Sequence, residues 1–398
     1  MSAQIFQSST SLHGKTIALG ITGSIAAVRC VELARELMRH GAEVHAVMTK
    51  DAQKIIHHEA MRYATGKSVI TEITGVVEHV EFCGIGGIAH LLLIAPCTAN
   101  TIGKIAHGID DTPVTTFATT AFGSGIPIMI VPAMHESMYN HPIVIENMGK
   151  LAELGVEFIN PVMEEGAAKI ASKEEIVLRV ERTLGKKTLK GKRILITGGA
   201  TAEAIDPIRI ITNRASGKTG VELALEAFRR GADVTLVHRG CLGKQGICEF
   251  NAESAKDMTD TVLEELDKKY DLLISAAAIS DFTVAASREK IKSDKNFTLT
   301  MKPAPKLISQ VRIKYPDLNI IGFKAETGVT ENELIKRARE SMEASGLAMV
   351  VANDVARGGM GTEDNDVYMI DGEVKRVSGT KPEIAKEIMN KVEAIICQ

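Results

Sequence analysis

Tryptophan is absent from the 398-residue chain, and all aromatic residues together make up only 4% of it. This scarcity argues against nucleic-acid modules that stack bases on aromatic rings. No apolar run is long enough to cross a membrane, and the polar start lacks a signal-peptide core and suggests a disordered tail over residues 1–15. A net charge of −3 gives no basic surface for nucleic acid or anionic lipid. We expect a cytoplasmic protein without nucleic-acid or membrane partners.

Metal-ligand spacings are also missing. No CxxC pair occurs among the six cysteines, so free thiols in a reducing compartment are expected. The sequence His57-His58-Glu59 is not HExxH, and adjacent histidines on a helix point apart, which disfavours a metal site there. Ten of the eleven histidines precede residue 187, and only His238 follows it. This asymmetry predicts different chemistry in the two halves.

The chain opens in the same way twice. Residues 14–24 (GKTIALGITGS) and 191–201 (GKRILITGGAT) each give a short apolar strand followed by a glycine turn. Helices predicted over 24–39 and 216–230 follow these turns, and further apolar strands alternate with helical patterns. This order is typical of α/β folds with doubly wound parallel sheets. The basic stretch 183–193 between the two halves predicts domains 1–187 and 188–398.

Helical spacing predicts an apolar face of Ile25, Val28, Val31 and Leu37 on the first helix, and an inner face of Val221, Leu225 and Phe228 on the second. Neither glycine turn completes a GxGxxG fingerprint. Near the second helix, Ser216, Gly217 and Gly220 are placed to offer backbone N–H groups to a phosphate. The alternative is a simple helix cap.

Five ordered motifs over residues 190–398 resemble the phosphopantothenate–cysteine ligase family. They are the segment 197–220 and the motifs AAAISDF (276–282), EKIK (289–292), GFKAET (322–327) and ANDV (352–355). The resemblance implies activation of the 4′-phosphopantothenate carboxylate by a nucleotide, followed by attack of the cysteine amine. We expect CTP with Mg²⁺, and ATP is the alternative.

The ligase resemblance also implies residue roles. Lys290 would offset charge at the α-phosphate, and Asn213 would contact the acyl intermediate. Ala277, Ala278, Asp281 and Phe323 would line the nucleotide pocket. The alternatives are a solvated loop charge for Lys290, a turn residue for Asn213 and a core side chain for Phe323.

Residues 14–185 resemble the flavin-containing cysteine decarboxylase family through GITGSIAA, EHVEF (78–82), HLLLIAPCTANTIGKIAHGIDD and VPAMHESMY. The resemblance implies FMN and a catalytic His79. His135 stands where the bacterial family has asparagine and could bind the substrate carboxylate. The residues implied for FMN are Gly23, Ser24, Thr49, Thr98, Asn100 and Thr115.

One family feature is absent from the first half. The substrate flap of the family carries a reactive cysteine, but the matching stretch 160–175 has none. A noncatalytic FMN-binding regulatory module fused to an active ligase is therefore the alternative to a decarboxylase. An NAD(P)-dependent reductase is a third possibility, against which the incomplete fingerprints weigh.

Together the two resemblances imply an enzyme for consecutive steps of coenzyme A synthesis. The ligase product retains the cysteine carboxylate, and the next step removes it. Losing CO₂ leaves an electron pair that needs a sink, and FMN can provide one by oxidising the thiol and later returning the electrons. The resemblances also imply a homo-oligomer, with trimers of the first half and dimers of the second building a dodecamer.

Overall fold

The computed structural model describes residues 9–164, 167–292 and 297–397. The chain divides into two compact units, residues 1–185 and 186–398. This division falls two residues before the boundary expected from the basic stretch. No helix in the described ranges is both long and apolar enough to span a bilayer.

The N-terminal unit contains eight strands and eight α-helices over its described residues. The strands are β1 (Thr16–Ile21), β2 (Glu43–Met48), β3 (Leu91–Cys97), β4 (Ile128–Pro132), β5 (Met134–His135), β6 (Glu157–Phe158), β7 (Val162–Glu164) and β8 (Ala167–Lys169). The helices are α1 (Cys30–Arg39), α2 (His58–Thr65), α3 (Glu78–Cys83), α4 (Ala99–Ala106), α5 (Pro113–Ser124), α6 (Glu136–Tyr139), α7 (Pro142–Glu153) and α8 (Lys173–Leu184).

Five of these strands form a parallel sheet in the order β2-β1-β3-β4-β6. Every residue of β3 is buried, because apolar clusters pack on both faces of the sheet. The doubly wound parallel sheet expected for this half is therefore confirmed. A separate antiparallel sheet, β5-β8-β7, follows the carboxyl end of β4.

The first helix differs from its prediction. Residues Ile25–Arg29 form a 3₁₀ helix, and the α-helix begins only at Cys30. Ile25 and Val28 are exposed, whereas Leu37 is buried as predicted. The small residues Ala27 and Ala34 and the thiol of Cys30 instead face the core, so the assignment of the inner face was wrong at its start.

The expected disordered tail is also wrong for residues 9–15. Leu12 is fully buried in the core, and its N–H donates to the carbonyl of His40 at 2.8 Å. The N–H of Lys15 closes the turn by donating to the carbonyl of Leu12 at 3.0 Å. One apolar side chain therefore anchors a polar segment.

The C-terminal unit contains twelve strands and five α-helices over its described residues. The strands are β9 (Arg193–Gly198), β10 (Ala202–Ala204), β11 (Ile210–Thr212), β12 (Asp233–His238), β13 (Ile247–Asn251), β14 (Leu272–Ser275), β15 (Phe282–Val284), β16 (Met301–Pro303), β17 (Asn319–Glu326), β18 (Met349–Asp354), β19 (Asp364–Ile370) and β20 (Val374–Thr380). The helices are α9 (Lys218–Arg229), α10 (Ala255–Leu266), α11 (Leu307–Lys314), α12 (Glu331–Ser345) and α13 (Lys381–Ile396).

Eight strands form the main sheet in the order β13-β12-β9-β14-β17-β18-β19-β20. The first six run parallel, and the hairpin β19–β20 adds an antiparallel edge. Two small hairpins, β10–β11 and β15–β16, stand outside this sheet. Both follow parallel strands directly in the chain, β10 after β9 and β15 after β14, so they belong to the carboxyl edge.

Helix α9 packs on the sheet through a different face from the one expected. Leu223, Ala224 and Ala227 are buried together with Phe228. Val221 and Leu225 are only partly buried, so two of the three predicted positions were wrong. Small residues lie on the buried face because the helix approaches the strands closely: a Cβ on Gly220 would lie 2.7 Å from Cα of Gly198 in β9.

Candidate active sites in the two units

The first candidate site lies at the carboxyl ends of β1 and β3, two neighbouring parallel strands whose connections leave the sheet in opposite directions. Such a switch point is where open α/β sheets bind ligands. The hydroxyl of Thr22 links the two strand ends, because it donates to the carbonyl of Pro96 at 2.8 Å and accepts from the N–H of Thr98 at 3.0 Å. Sequence inspection missed this buried linking threonine.

Gly23, Ser24 and Thr49 lie together at this edge. A Cβ on Gly23 would lie 2.6 Å from Cβ of Asp51, so the loops after β1 and β2 touch and only glycine fits between them. The N–H of Thr49 donates to the carbonyl of Ile21 at 3.1 Å. The hydroxyl of Ser24 accepts from the N–H of Ala26 at 3.4 Å and caps the 3₁₀ helix.

Thr98 and Asn100 begin the helix that follows β3. Thr98 is the N-cap of α4 and accepts from the N–H of Thr101 at 3.3 Å, while Asn100 is exposed. Thr115 is almost fully buried and forms a reciprocal capping box with Thr112 at the start of α5. Its hydroxyl therefore already has partners within the chain.

His79 occupies the first turn of α3. Its Nδ1 atom is buried and has no hydrogen-bond partner. The preceding N-cap, Val77, has φ 54°, which a β-branched residue rarely adopts. Such strain tends to persist at functional sites. Within the described residues, no hydrogen bond joins His79 to the loops at the strand ends.

His135 lies at the end of β5 and pairs with Ala167 of β8 in an antiparallel register. It is exposed, so its ring is open to a ligand on the β5-β8-β7 sheet. Strands β7 and β8 of this sheet lie within the flap expected over residues 160–175, of which 165 and 166 lie outside the described residues. The structure thus places His135 directly beside the flap segment that lacks a cysteine.

The thiols of the N-terminal unit cannot replace the missing cysteine. Cys30, Cys83 and Cys97 are all fully buried. Burial raises the pKa of the Cys83 thiol to about 12, and it also raises the pKa of Cys30 and that of Cys97. His135, in contrast, is exposed to solvent.

The second candidate site lies where α9 begins, against the glycine turn after β9. A Cβ on Gly220 would lie 2.7 Å from Cα of Gly198, and one on Gly217 would lie 3.0 Å from Cα of Gly199. Gly217 also has φ 79°. These glycines let the helix start touch the strand end, and Ser216 is exposed beside them. The N–H groups of a first helical turn have no partner within the helix and favour an anion.

Asn213, Ala277 and Ala278 meet at the neighbouring strand end. The Nδ2 of Asn213 donates to the carbonyl of Ala278 at 2.9 Å. The N–H of Ala278 donates to the carbonyl of Gly199 at 2.8 Å, and that of Ala277 to the hydroxyl of Thr197 at 3.3 Å. The N–H groups of Ala277 and Ala278 and the Nδ2 group of Asn213 thus bond to other groups of the protein, which leaves the side-chain oxygen of Asn213 for a ligand.

Other predicted ligase residues are more dispersed. Asp281 is exposed and forms an ion pair with Lys306. Phe323 lies on β17 and is partly buried. Lys290 is exposed in the loop after β15, and Asn213 lies on a separate loop after β11.

Two carboxylates of the C-terminal unit were missed in the sequence. Glu203 is buried and accepts from the N–H of Ala255 at 2.8 Å and from the hydroxyl of Thr283 at 3.0 Å, so it fixes β10 to two neighbouring segments. Asp206 is buried at the tip of the β10–β11 hairpin. The Asp-Pro pair at 206–207 was the available signal, since it favours a turn.

No group of three or more histidine, cysteine, aspartate or glutamate residues in the described ranges is arranged to hold a metal ion. His57 caps α2 by accepting from the N–H of Glu59, and its ring lies 4.3 Å from that of His58. The two rings are in ordinary contact with each other.

Two family models cover the two units. A flavoprotein family matches residues 5–185, and the DNA/pantothenate metabolism flavoprotein C-terminal domain matches residues 189–396. The coenzyme A biosynthesis bifunctional protein CoaBC of Thermococcus kodakarensis is 52% identical, covering 98% of this chain and 97% of that protein. The CoaBC protein of Methanocaldococcus jannaschii is 41% identical, with 97% and 95% covered.

Solved structures resemble the units separately. A DNA/pantothenate metabolism flavoprotein from Streptococcus pneumoniae matches 51% of this chain and 99% of its own, at 27% identity and a TM-score of 0.46. A phosphopantothenoylcysteine decarboxylase variant complexed with pantothenoylaminoethenethiol matches 42% and 96%, at 27% identity and a TM-score of 0.37.

Fold, site and family matches define a two-domain α/β enzyme in which a flavoprotein decarboxylase domain precedes a ligase domain. The chain belongs to the family of coenzyme A biosynthesis bifunctional proteins.

Proposed function

We propose that the C-terminal unit joins 4′-phosphopantothenate to cysteine with CTP, and that the N-terminal unit decarboxylates the product to 4′-phosphopantetheine with FMN. The observation that carries this proposal is full-length similarity to CoaBC proteins, at 52% identity in one of them, combined with one candidate site at the carboxyl edge of each sheet. The two sites would act in succession on one substrate.

Ligation needs two balanced steps. The carboxylate oxygen attacks the α-phosphorus of CTP, and the bond to pyrophosphate breaks. The amine of cysteine then attacks the acyl carbon, CMP leaves, and the amine loses a proton to solvent. Lys290 would offset the negative charge of the first step, and Asn213 would hold the acyl group for the second. Mg²⁺ would bind chiefly through nucleotide phosphates and water, as this ion commonly does.

The glycine contacts at the start of α9 suit a phosphate. Gly217 and Gly220 bring the helix onto the strand end without side chains in the way, and Ser216 adds a hydroxyl. Helix N-termini favour anions through their free N–H groups and dipole. Asp281 and Phe323, with the backbone at Ala277 and Ala278, would border the nucleoside.

The strand-end loops of the N-terminal unit fit FMN. The close contact of Gly23 with Asp51 keeps the loop backbone free of side chains, and Ser24 and Thr49 supply hydroxyls beside it for the phosphate. Thr98 and Asn100 would border the flavin ring, with Thr115 supporting it from the start of α5. When bound, FMN supplies a reversible two-electron oxidation of the substrate thiol.

The side chains of the N-terminal unit would orient the substrate and move its protons. The buried, unpartnered Nδ1 of His79 is available for a bond that forms when a ligand arrives. His135 would bind the carboxylate that leaves as CO₂, and its charge-assisted hydrogen bond would strengthen on protonation. After CO₂ is lost, the α-carbon must gain a proton, and the exposed His135 can deliver one.

Product analysis with the full chain tests the proposal. Phosphopantothenate, cysteine and CTP should give pyrophosphate, CMP, CO₂ and phosphopantetheine in equal amounts. Pyrophosphate release without CO₂ from a yellow protein would instead support the noncatalytic flavin module. Cofactor released by heat should be FMN, and recovery of FAD or of a nicotinamide nucleotide would contradict the assignment. Parallel assays with ATP decide the nucleotide.

Cellular and oligomeric assignments complete the proposal. We place the protein in the cytoplasm as a homo-oligomer, in which trimers of the N-terminal unit and dimers of the C-terminal unit build a dodecamer. Exposed apolar side chains on both units, including Ile85 and Ile208, are compatible with subunit contacts. Analytical ultracentrifugation of the full chain gives its mass, and a monomer would exclude this assembly.

A further inference from the structure

The carboxylate of Asp206 connects the hairpin β10–β11 to the loop that carries Lys290. Asp206 is 2% exposed. One oxygen accepts from the N–H groups of Ile208 and Arg209, both at 2.8 Å, which closes the turn. The other oxygen accepts from Nη1 of Arg209 at 2.7 Å and from the N–H of Ile291 at 3.2 Å.

Arg209 holds the same residue of the loop from its other side. Its Nη1 atom also donates to the carbonyl of Ile291 at 3.0 Å. The Asp206–Arg209 pair thus binds both the N–H and the carbonyl of the residue next to Lys290. Since the carboxylate is buried and paired, its hydrogen bonds are stronger than exposed ones would be.

A second anchor lies three residues before Lys290. The N–H of Ser287 donates to the carbonyl of Ile205 at 2.9 Å, and the hydroxyl of Ser287 donates to the carbonyl of Glu289 at 2.7 Å. Only residues 288–290 therefore lie between two attachments to the hairpin. These attachments fix the backbone from which the long, flexible side chain of Lys290 extends.

The same hairpin also leads to Asn213, which directly follows β11. Asn213 is held separately, through its bond to Ala278 and through the hydroxyl of Thr212, which donates to the carbonyl of Thr201 at 2.8 Å. The contacts at the hairpin tip can therefore be removed while those at its base remain.

We propose that Asp206 is a positioning residue, which through Arg209 and the backbone of Ile291 sets the place of the Lys290 ammonium group for acyl-nucleotide formation. This inference rests on the role proposed for Lys290. Because Asp206 acts on the loop of Lys290 and not on Asn213, it affects the first step of ligation and leaves amine attack unchanged.

Three direct measurements test the proposal in the full chain. Asp206→Asn keeps one acceptor for the turn but loses the carboxylate that binds Arg209 and Ile291. Pyrophosphate release should slow about 10- to 100-fold, as expected when a catalytic group is slightly misplaced, while cysteine should consume added acyl-nucleotide at the normal rate. Trypsin should cut faster after Arg288, Lys290 or Lys292 than in the unchanged protein. Normal pyrophosphate release and normal cleavage would overturn the proposal.

A double-mutant cycle distinguishes this inference from the proposed function. If Asp206 acts through Lys290, adding Asp206→Asn to Lys290→Ala slows the first step no further. Normal pyrophosphate release by Lys290→Ala alone would contradict the role of Lys290 itself. A slow Lys290→Ala with a normal Asp206→Asn would contradict only the positioning role, and equal slowing of both steps by Asp206→Asn would indicate a general structural defect.

Two further variants serve as controls. Asp366→Asn breaks another carboxylate–arginine pair, in which Arg376 donates to Asp366 at 3.0 and 2.7 Å across the β19–β20 hairpin, and both ligation steps should stay normal. If Asp206→Asn fails to fold, Asp206→Ser replaces it, because a serine hydroxyl can still close the turn but is too short to hold Ile291. It should give the same slow first step.

Discussion

His79 offers the sharpest single-residue test of the decarboxylase half. His79→Ala should lower CO₂ release by about 10²–10⁴-fold, the usual contribution of a positioned proton-transfer group. Flavin binding should persist, because Gly23, Ser24 and Thr49 hold the cofactor in the proposed arrangement. CO₂ capture measures the decarboxylation, and the visible absorbance of the purified protein measures the bound flavin. Near-normal CO₂ release would remove His79 from the mechanism.

Lys290 and Asn213 should separate the two steps of ligation. Lys290→Ala should slow acyl-nucleotide formation by about 10²–10³-fold, since it removes a charge from the developing transition state. Asn213→Ala should form the acyl-nucleotide and then use it slowly. Mass spectrometry of reactions without cysteine checks both variants. Acyl-nucleotide accumulating with Lys290→Ala, or failing to form with Asn213→Ala, would show that these roles are wrong.

At the scale of secondary-structure elements, the contact between α9 and β9 can be probed with one methyl group. Gly220→Ala would place a Cβ 2.7 Å from the backbone of Gly198, so strand or helix must move. Overpacking of this kind costs about 1–3 kcal/mol. Urea unfolding followed by circular dichroism should show the loss, and ligation should weaken with it. Unchanged stability and ligation would mean that the contact is not needed.

Gly149 is the matched control for this substitution. It lies in α7 with no atom within 4 Å of an added Cβ. Gly149→Ala should stabilise its unit by about 0.5–1 kcal/mol, because alanine loses less backbone freedom in a helix. Destabilisation by Gly149→Ala would show that glycine replacement is harmful here for a reason other than steric contact.

A secondary-structure element can be predicted from the sequence where residues close to it in the chain determine it. Strands β1 and β9 lie within the segments 14–24 and 191–201 that predict them, because a short apolar run before a glycine turn marks a buried strand. The inner faces of α1 and α9 were misassigned, because counting large apolar residues ignores the alanines and glycines that allow close approach. The tail was misassigned because a single residue, Leu12, anchors it.

The candidate sites were foreseeable where local motifs mark them. The glycine turns and the strand-end threonines follow from sequence order, since parallel strands present their carboxyl ends at one edge. His135 pairs with Ala167 of the flap, 32 positions further along the chain. Asp206 accepts a hydrogen bond from Ile291, 85 positions away. Such pairings arise from tertiary packing, which spacing along the chain does not encode.

Across the whole molecule, thiol reactivity should differ between the units. Cys30, Cys83 and Cys97 are buried, whereas the three cysteines of the C-terminal unit, Cys241, Cys248 and Cys397, are exposed. Because burial raises the pKa values of the buried thiols, little thiolate forms even at pH 9. Iodoacetamide should modify three cysteines in the native protein and six after unfolding, counted by mass spectrometry. Labelling of Cys83 in the native protein would contradict this arrangement.

The burial of all thiols in the N-terminal unit bears on oxidative stress. Both cysteine and the proposed ligation product carry a thiol, and under oxidising conditions such molecules form mixed disulfides with accessible protein thiols. The decarboxylase domain offers them no partner, so its activity should outlast exposure to cystine. The ligase domain exposes Cys241, Cys248 and Cys397 and would form cysteinyl adducts first. In a cell short of reductant, the ligation step would therefore be lost before the decarboxylation step.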